Sequence, residues 1–333
     1  MRPALTTAVA DDPLQVLSST APLLAELAHV RIDQAALWAF AEARHDAPPP
    51  ELAEDALHCT GLAAEPFLNY LLLLEALNFC FWDEAPRWQV RWRDGLYDGY
   101  WALAAALQRA VEADGVPLWD AGWMAAVDTP TMAHVLRGEG RPVPLLGLRV
   151  AHVRQAGQVL QSRWQGQFAR ALAEAGHDAP ALALLVVQAL PSFRDEAIWR
   201  GRSLRFYKRA QILAGDLARM RHGRPEGTLT RLECLTAFAD YKVPQVLRGL
   251  GILVYAPGLA ARLERREPLA AGSREELEIR TATLWACEWI ARAMGYLVPG
   301  RRFSASDVDY LLWSAGQQSA HLAPYHRART PFY

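Results

Sequence analysis

The chain has 333 residues, with 35 Lys and Arg against 36 Asp and Glu, for a formal net charge of -1. That balance argues against a dedicated nucleic-acid binder, which carries a basic excess. An apolar share of 52% with 21% charged residues excludes disorder of the whole chain and supplies a large core. Residues 1–12 read as a loose tail, followed by a helical pattern from Pro13 to Val30 and a second helix that Asp33 can cap, with Leu37, Trp38 and Phe40 on it. Pro48-Pro49-Pro50 ends that element, and a short helix is expected over Glu51–His58. Phe67–Trp82 is apolar nearly all round, which suits a central buried helix, and its Asn69, Glu75 and Asn78 make it too polar to span a bilayer.

Trp88, Val90 and Trp92 then alternate with polar residues ahead of Asp94-Gly95, the pattern of a small hairpin. Helices are expected over Tyr100–Ala113, Thr131–Leu136, most of Leu148–Ala175, Ala181–Leu190 and Leu204–Met220. Residues 222–227 read as a loop, and Thr230–Phe238 and Pro244–Leu253 as two helices around a turn. Ser273 with Glu276 matches a capping box opening a long helix from Arg274 to about Met294, and Ser306–Trp313 forms the last helix. The aromatic and basic end, His321–Tyr333, is expected to be docked. The expected class is all-α with a minor β-hairpin, as a single helical domain over 13–333 after the tail. The four cysteines, Cys59, Cys80, Cys234 and Cys287, lack CxxC spacing and are expected to be reduced, buried thiols. With no long apolar stretch at the start, a cytoplasmic protein is expected.

The usual phosphate-binding glycine loops, HExxH, zinc-type Cys/His spacing and GxSxG are all missing from the sequence. Chemistry is therefore sought among carboxylates, lysines and aromatics in unusual contexts. In Leu235–Leu247, Asp240 falls just before a helix begun near Pro244. A carboxylate there faces the positive end of the helix and is expected to be held ionised, although a plain turn or N-cap aspartate fits the same pattern. In Leu204–Leu213, Lys208, Arg209 and Gln211 interrupt an otherwise core-like helix, as a solvated face or as cations aimed at a phosphate or carboxylate.

The strings LNFCFW from Leu77, FYKRAQIL from Phe206, LTAFADYKVPQVL from Leu235, EELEIR from Glu275, DYLLW from Asp309 and HRARTPFY from His326 stand in this order. Together they resemble the queuosine salvage protein family, whose members are queuosine 5'-phosphate N-glycosidases, over about Val30 to Tyr333. The resemblance implies an all-helical fold related to helix-hairpin-helix DNA glycosylases, with queuosine 5'-phosphate as substrate and queuine as product. No cofactor or metal, no direct nucleic-acid partner and no membrane are expected. Matched by motif, Asp240 is the catalytic carboxylate, Phe238 a base-contacting ring, and Asp309 and Tyr310 the base-binding pair. A histidine ahead of LNFCFW contacts the base, with His58 the best positional match and His45 the alternative. Lys208 is the candidate for the 5'-phosphate. Ser314, at a substrate-binding position, stands where the family often has an acidic residue, and Glu75 where it often has Asp.

Those residue types fit the chemistry. Cleaving an N-glycosidic bond builds positive charge on the ribose, which a preplaced carboxylate stabilises or captures covalently. Queuine is a 7-deazaguanine, so the leaving base cannot be activated by protonation at N7. The burden moves to the other base edges and to the sugar cation. Two readings from other classes compete: a helix-hairpin-helix nucleic-acid glycosylase, which needs a basic face, and a non-enzymatic helical scaffold, which leaves the buried ionisable groups without a use.

Overall fold

The computed structural model describes residues 2–9, 11–46, 57–319 and 321–333. The protein is mostly helical, and the strands among the described residues form small two-stranded sheets.

Segment 2–9, read as a loose tail, has no regular secondary structure, and its Thr6 carbonyl accepts from Trp289 Nε1 (3.1 Å) and Arg292 Nη1 (2.9 Å). Helix α1 (Val16–Leu24) starts where the Asp12 carboxylate accepts the Val16 and Ser18 amides, at 3.1 and 2.7 Å. It ends earlier than the apolar pattern predicts, and Val30–Ile32 form strand β1. Helix α2 (Gln34–Arg44) is capped as expected, Asp33 accepting from Ala36 N at 3.0 Å. The helix expected over Glu51–His58 lies outside the described residues as far as 56, and Leu57–Gly61 run through turns.

Helix α3 (Ala64–Leu77) is buried without a break from Phe67 to Leu77, but stops five residues short of Trp82. Asn78–Trp82 stay buried without being helical, with Cys80 at φ 46°. The cause is Arg149. Its guanidinium donates to the carbonyls of Leu77, Phe79 (2.5 Å), Cys80 (3.1 Å) and Pro144 (2.9 Å), taking up acceptors that a helix end leaves unpaired. Strands β2 (Gln89–Trp92) and β3 (Gly95–Asp98) form the expected hairpin, closed by Arg93-Asp94. Helices α4 (Gly99–Glu112), α5 (Ala121–Ala126) and α6 (Thr129–Val135) follow, the last two capped by Asp120 and Asp128.

The single helix expected over Leu148–Ala175 is two, α7 (Leu146–Trp164) and α8 (Phe168–Glu174). They part at Gln165-Gly166, where φ is 51° and 82°. Asn69 of α3 fills the break, donating to the Gly166 carbonyl and accepting the Phe168 amide, both at 2.8 Å. After α9 (Ala179–Ala189) comes a hairpin the apolar pattern does not reveal, β4 (Glu196–Trp199) and β5 (Arg202–Arg205). Its turn, Arg200-Gly201, has positive φ at both positions, the geometry that suits the twist of paired strands. Helix α10 (Lys208–Met220) therefore begins four residues later than expected. The helix expected over Thr230–Phe238 is absent: a single 3-10 turn at Leu232–Cys234 leads into residues 235–240, which are neither helical nor in a strand.

Next come α11 (Lys242–Gly249), β6 (Leu253–Tyr255), α12 (Pro257–Glu264), β7 (Pro268–Leu269), α13 (Arg274–Leu297), α14 (Ala305–Gln318) and β8 (Arg327–Ala328). Ser273 caps α13 by accepting the Glu276 amide at 3.4 Å, while Glu276 reaches back to Gly272 N rather than to the cap residue. The fully buried Glu278 of α13 accepts the Ala28 and His29 amides, which turns the chain out of α1 and into β1.

By packing, the chain divides into two compact units, each assembled from separated stretches. Unit 1 comprises Met1–Glu51, Asp195–Gln211 and Arg231–Arg329. Its axis is α13, buried along most of its length and packed by α1, α2, α11 and α14, with β1 paired antiparallel to β6 beside it. Here the C-terminal segment is docked as expected: β8 pairs with β7, and His326 is buried. Unit 2 comprises Leu52–Arg194, Ile212–Thr230 and Thr330–Tyr333. Its centre is α3, which packs on α4, α7 and α8, with α5 and α6 against α7.

Candidate active site

Six of the seven candidate residues lie in unit 1, two of them on the irregular run Leu235–Asp240, every residue of which is buried. A buried irregular segment of this kind must find partners for its amides and carbonyls. Three side chains from three helices supply them. Gln211 of α10 accepts the Thr236 amide at 2.8 Å while donating to Thr236 Oγ1 (3.0 Å) and the Phe206 carbonyl (2.8 Å). Asp309 of α14 accepts the Phe238 amide at 2.8 Å through Oδ1. Arg280 of α13 donates from Nε to the Ala239 carbonyl at 3.1 Å. These bonds take the place of the helical hydrogen bonds that the apolar pattern of Thr230–Phe238 predicts.

The run delivers Asp240 to the start of α11. Its Oδ1 accepts the amides of Lys242 (2.8 Å) and Val243 (2.9 Å), which lock the carboxyl plane. Oδ2 accepts no hydrogen bond among the described residues, and the residue is 9% exposed. One oxygen is thus fixed by the backbone and the other is not. Burial raises the Asp240 pKa above the ordinary aspartate value, and Lys208, the two amides and Lys242 pull it back only in part. The amides at the helix start favour the ionised form, as expected, but desolvation outweighs them in the direction of the shift.

Phe238 and Tyr310 meet edge to face, ring centroids 5.4 Å apart at 85°. Asp309, beside Tyr310 on α14, is 3% exposed. Lys208, the first residue of α10, is 5% exposed, and Arg209 and Gln211 are also buried, so the solvated-face reading of this helix start does not hold. The Lys208 amide donates to Asp195 Oδ2 at 3.3 Å. Ser314 lies further along α14, half-buried, with no side-chain hydrogen bond among the described residues. Cys287 of α13 is buried beside Asp309 and Asp240; burial, then those two carboxylates, push its thiol far up, which removes it as a nucleophile.

Asp240, Phe238, Asp309, Tyr310, Lys208 and Ser314 all lie in unit 1, where Phe238 touches both Asp309 and Tyr310. His58 belongs to unit 2. It is 2% exposed, its Nε2 stands 3.5 Å from the Tyr100 hydroxyl, and Nδ1 has no partner among the described residues. Burial lowers its pKa to about 4, so the ring is neutral at pH 7. His45, the alternative, ends α2 in unit 1, half-exposed, with Nδ1 2.8 Å from the Glu42 carbonyl. Glu75 is fully buried on α3 and accepts from Asn78 Nδ2 at 2.9 Å.

Sequence reasoning missed Asp195, which reads as an ordinary surface charge between Arg194 and Glu196 but is 2% exposed. Gln211 and Arg280 stood inside flagged strings without a role of their own. Among the described residues no group of His, Cys, Asp and Glu could hold a metal ion, and no helix is long and apolar enough to cross a membrane.

The family model described as queuosine salvage protein matches residues 57–333. A Sphaerobacter thermophilus protein named queuosine 5'-phosphate N-glycosylase/hydrolase is 48% identical over 326 residues, which cover 97% of this chain and 98% of that protein. Proteins of the same name from Mus musculus and Schizosaccharomyces pombe are 33% and 30% identical, over 81% and 75% of this chain and 83% and 75% of their own lengths. The chain belongs to the queuosine salvage protein family.

Proposed function

We propose that the chain is a queuosine 5'-phosphate N-glycosylase, hydrolysing the bond between ribose and base and releasing queuine for salvage into tRNA modification. Its similarity, over nearly its whole length, to proteins of that name supports the reading. The observation in the structure that carries it is Asp240, buried, with one carboxylate oxygen fixed by two amides and the other unengaged.

In this reading the free oxygen of Asp240 faces the anomeric carbon. As the base departs, charge develops on the ribose, and the fixed carboxylate stabilises it or closes on it as a glycosyl ester that water then opens. Either path needs Asp240 ionised. The substrate supplies part of that condition, since a developing cation favours the charged form of a buried acid. Phe238, set edge-on by Tyr310, provides a face for a planar base, which favours a flat heterocycle without fixing its identity. Asp309 offers a carboxylate to the base edge or to the ammonium of the queuine arm, while Ser314 offers only a hydroxyl. Lys208 takes the 5'-phosphate, whose binding holds the sugar over Asp240. The net charge of -1 supports a small-molecule substrate rather than a nucleic acid. The test is Asp240→Asn, which keeps the acceptor for the Lys242 and Val243 amides. It should bind queuine and lose nearly all turnover. Near-normal release of queuine by this variant would remove Asp240 from the role.

A further inference from the structure

Lys208 and Asp240 come from different elements, and one buried ion pair touches the backbone beside both. Arg280 donates from Nη1 and Nη2 to the two carboxylate oxygens of Asp195, at 2.9 and 2.5 Å, with each residue about 3% exposed. From its third nitrogen Arg280 holds the Ala239 carbonyl, one residue before Asp240. On the other side, Asp195 Oδ2 accepts the Lys208 amide. Asp195 also accepts the Phe206 and Tyr207 amides through its own carbonyl, at 3.0 and 3.3 Å, and so fixes the left-handed turn at Tyr207 that starts α10. The Arg280 guanidinium lies over the Phe206 ring, 3.8 Å from its centroid. Glu276 stands 3.9 Å from Arg280 Nε, and His326, neighbouring Arg280, is kept neutral by burial. A forked cation bonded to a carboxylate at both oxygens has little freedom to rotate, so displacement at either end is transmitted to the other.

We propose that the Arg280–Asp195 pair is a positioning device that sets the spacing between Asp240 and Lys208, so that a phosphate held at one end places the sugar at the other. The inference rests on the glycosylase reading and on Lys208 as the phosphate cation. Neither Arg280 nor Asp195 need touch the substrate. A reacting group displaced by about 1 Å loses about a hundredfold in rate, which is the scale expected when the spacing slackens.

The experiment compares queuosine 5'-phosphate with unphosphorylated queuosine as substrates. The variants are Arg280→Lys, which keeps the charge and loses the fork, and the neutral double variant Asp195→Asn with Arg280→Gln, which removes both charges of the pair together. Wild type and Asp240→Asn run in parallel, and queuine binding by calorimetry counts the folded sites. With an intact device in wild type, kcat/KM for the phosphorylated substrate exceeds that for the nucleoside. In both variants that advantage should fall at least tenfold, while queuine affinity changes less than about threefold. A merely structural loss lowers both substrates in equal proportion, because it removes active molecules without separating the two ends. That result, or an unchanged phosphate advantage in folded variants, overturns the proposal. Failure of the underlying reading shows differently: Asp240→Asn stays active, or wild type does not prefer the phosphate.

Discussion

Gln211 is the side chain on which the shape of the segment carrying Asp240 most depends, and replacing it with Met tests that dependence. Methionine is unbranched and close to glutamine in volume, so the change removes polar atoms without opening a large hole. Two backbone groups lose their partner, the Thr236 amide and the Phe206 carbonyl, together with the bond to Thr236 Oγ1. All lie where water cannot replace them, Gln211 being 0% and Thr236 3% exposed. At about 1–3 kcal/mol for each orphaned group, the gross cost is roughly 2–6 kcal/mol. The better burial of a thioether than an amide offsets part of this, leaving a net loss of about 3 kcal/mol. Thr236→Val is the internal control: it keeps the amide bond to Gln211 and loses only the hydroxyl, at about 1 kcal/mol. Urea unfolding should show a lower midpoint with an unchanged m value for both variants, Gln211→Met lying well below Thr236→Val. Turnover should follow the same order, because Phe238 and Asp240 ride on the segment that Gln211 holds. A loss of under about 1 kcal/mol for Gln211→Met, with normal turnover, would refute the claim that this amide shapes the segment.

Arg149→Met removes the donor shared by four backbone carbonyls and should cost roughly 4–8 kcal/mol, enough to unfold most of the protein at 37 °C; a melting temperature within a few degrees of wild type would contradict it. For Asp240, the raised pKa places the acidic limb of kcat/KM above the ordinary aspartate value of 3.8, with activity lost as pH falls through it; a pH profile with no limb above that value would count against the assignment. The same shift has a stability consequence. A carboxyl whose folded pKa is raised stabilises the fold while protonated, and that contribution disappears as pH rises through the folded value. Ionised Asp240 is therefore a stability cost at neutral pH, and Asp240→Asn should melt higher than wild type there. That advantage should shrink on acidification, whereas a variant that melts lower than wild type at neutral pH would reverse the sign.

The helical class, the β2–β3 hairpin and the caps at Asp33 and Ser273 were legible because each is a local signal: alternation, periodicity, or a short polar residue at a helix start. Helix boundaries went wrong where a distant side chain competes for backbone groups. Arg149 ends α3 early although Asn78–Trp82 is as apolar as the helix before it. Gln211 and Asp309 hold Thr236 and Phe238 out of a helix although the pattern there is helical. No window along the chain contains those competitors, so periodicity alone could not find them. The β4–β5 hairpin did leave a trace, Arg200-Gly201 between short runs, too brief to outweigh the helix expected from Leu204.

For the proposed site, motif order pointed to Asp240, Phe238, Asp309, Tyr310 and Lys208, all of which lie in one unit. At Asp240 the helix start is visible in sequence, and the depth of burial, which sets the direction of the shift, is not. Asp195 escaped entirely, since a charged residue between two others reads as surface until its partner Arg280, far along the chain, is seen to bury it.

The most direct measurement is incubation of the purified protein and its Asp240→Asn variant with queuosine 5'-phosphate, with free queuine followed by mass spectrometry. The account predicts stoichiometric release of queuine by the wild type and almost none by the variant, although the variant still binds the base. No queuine from folded wild-type protein, or equal release by the two, would contradict it.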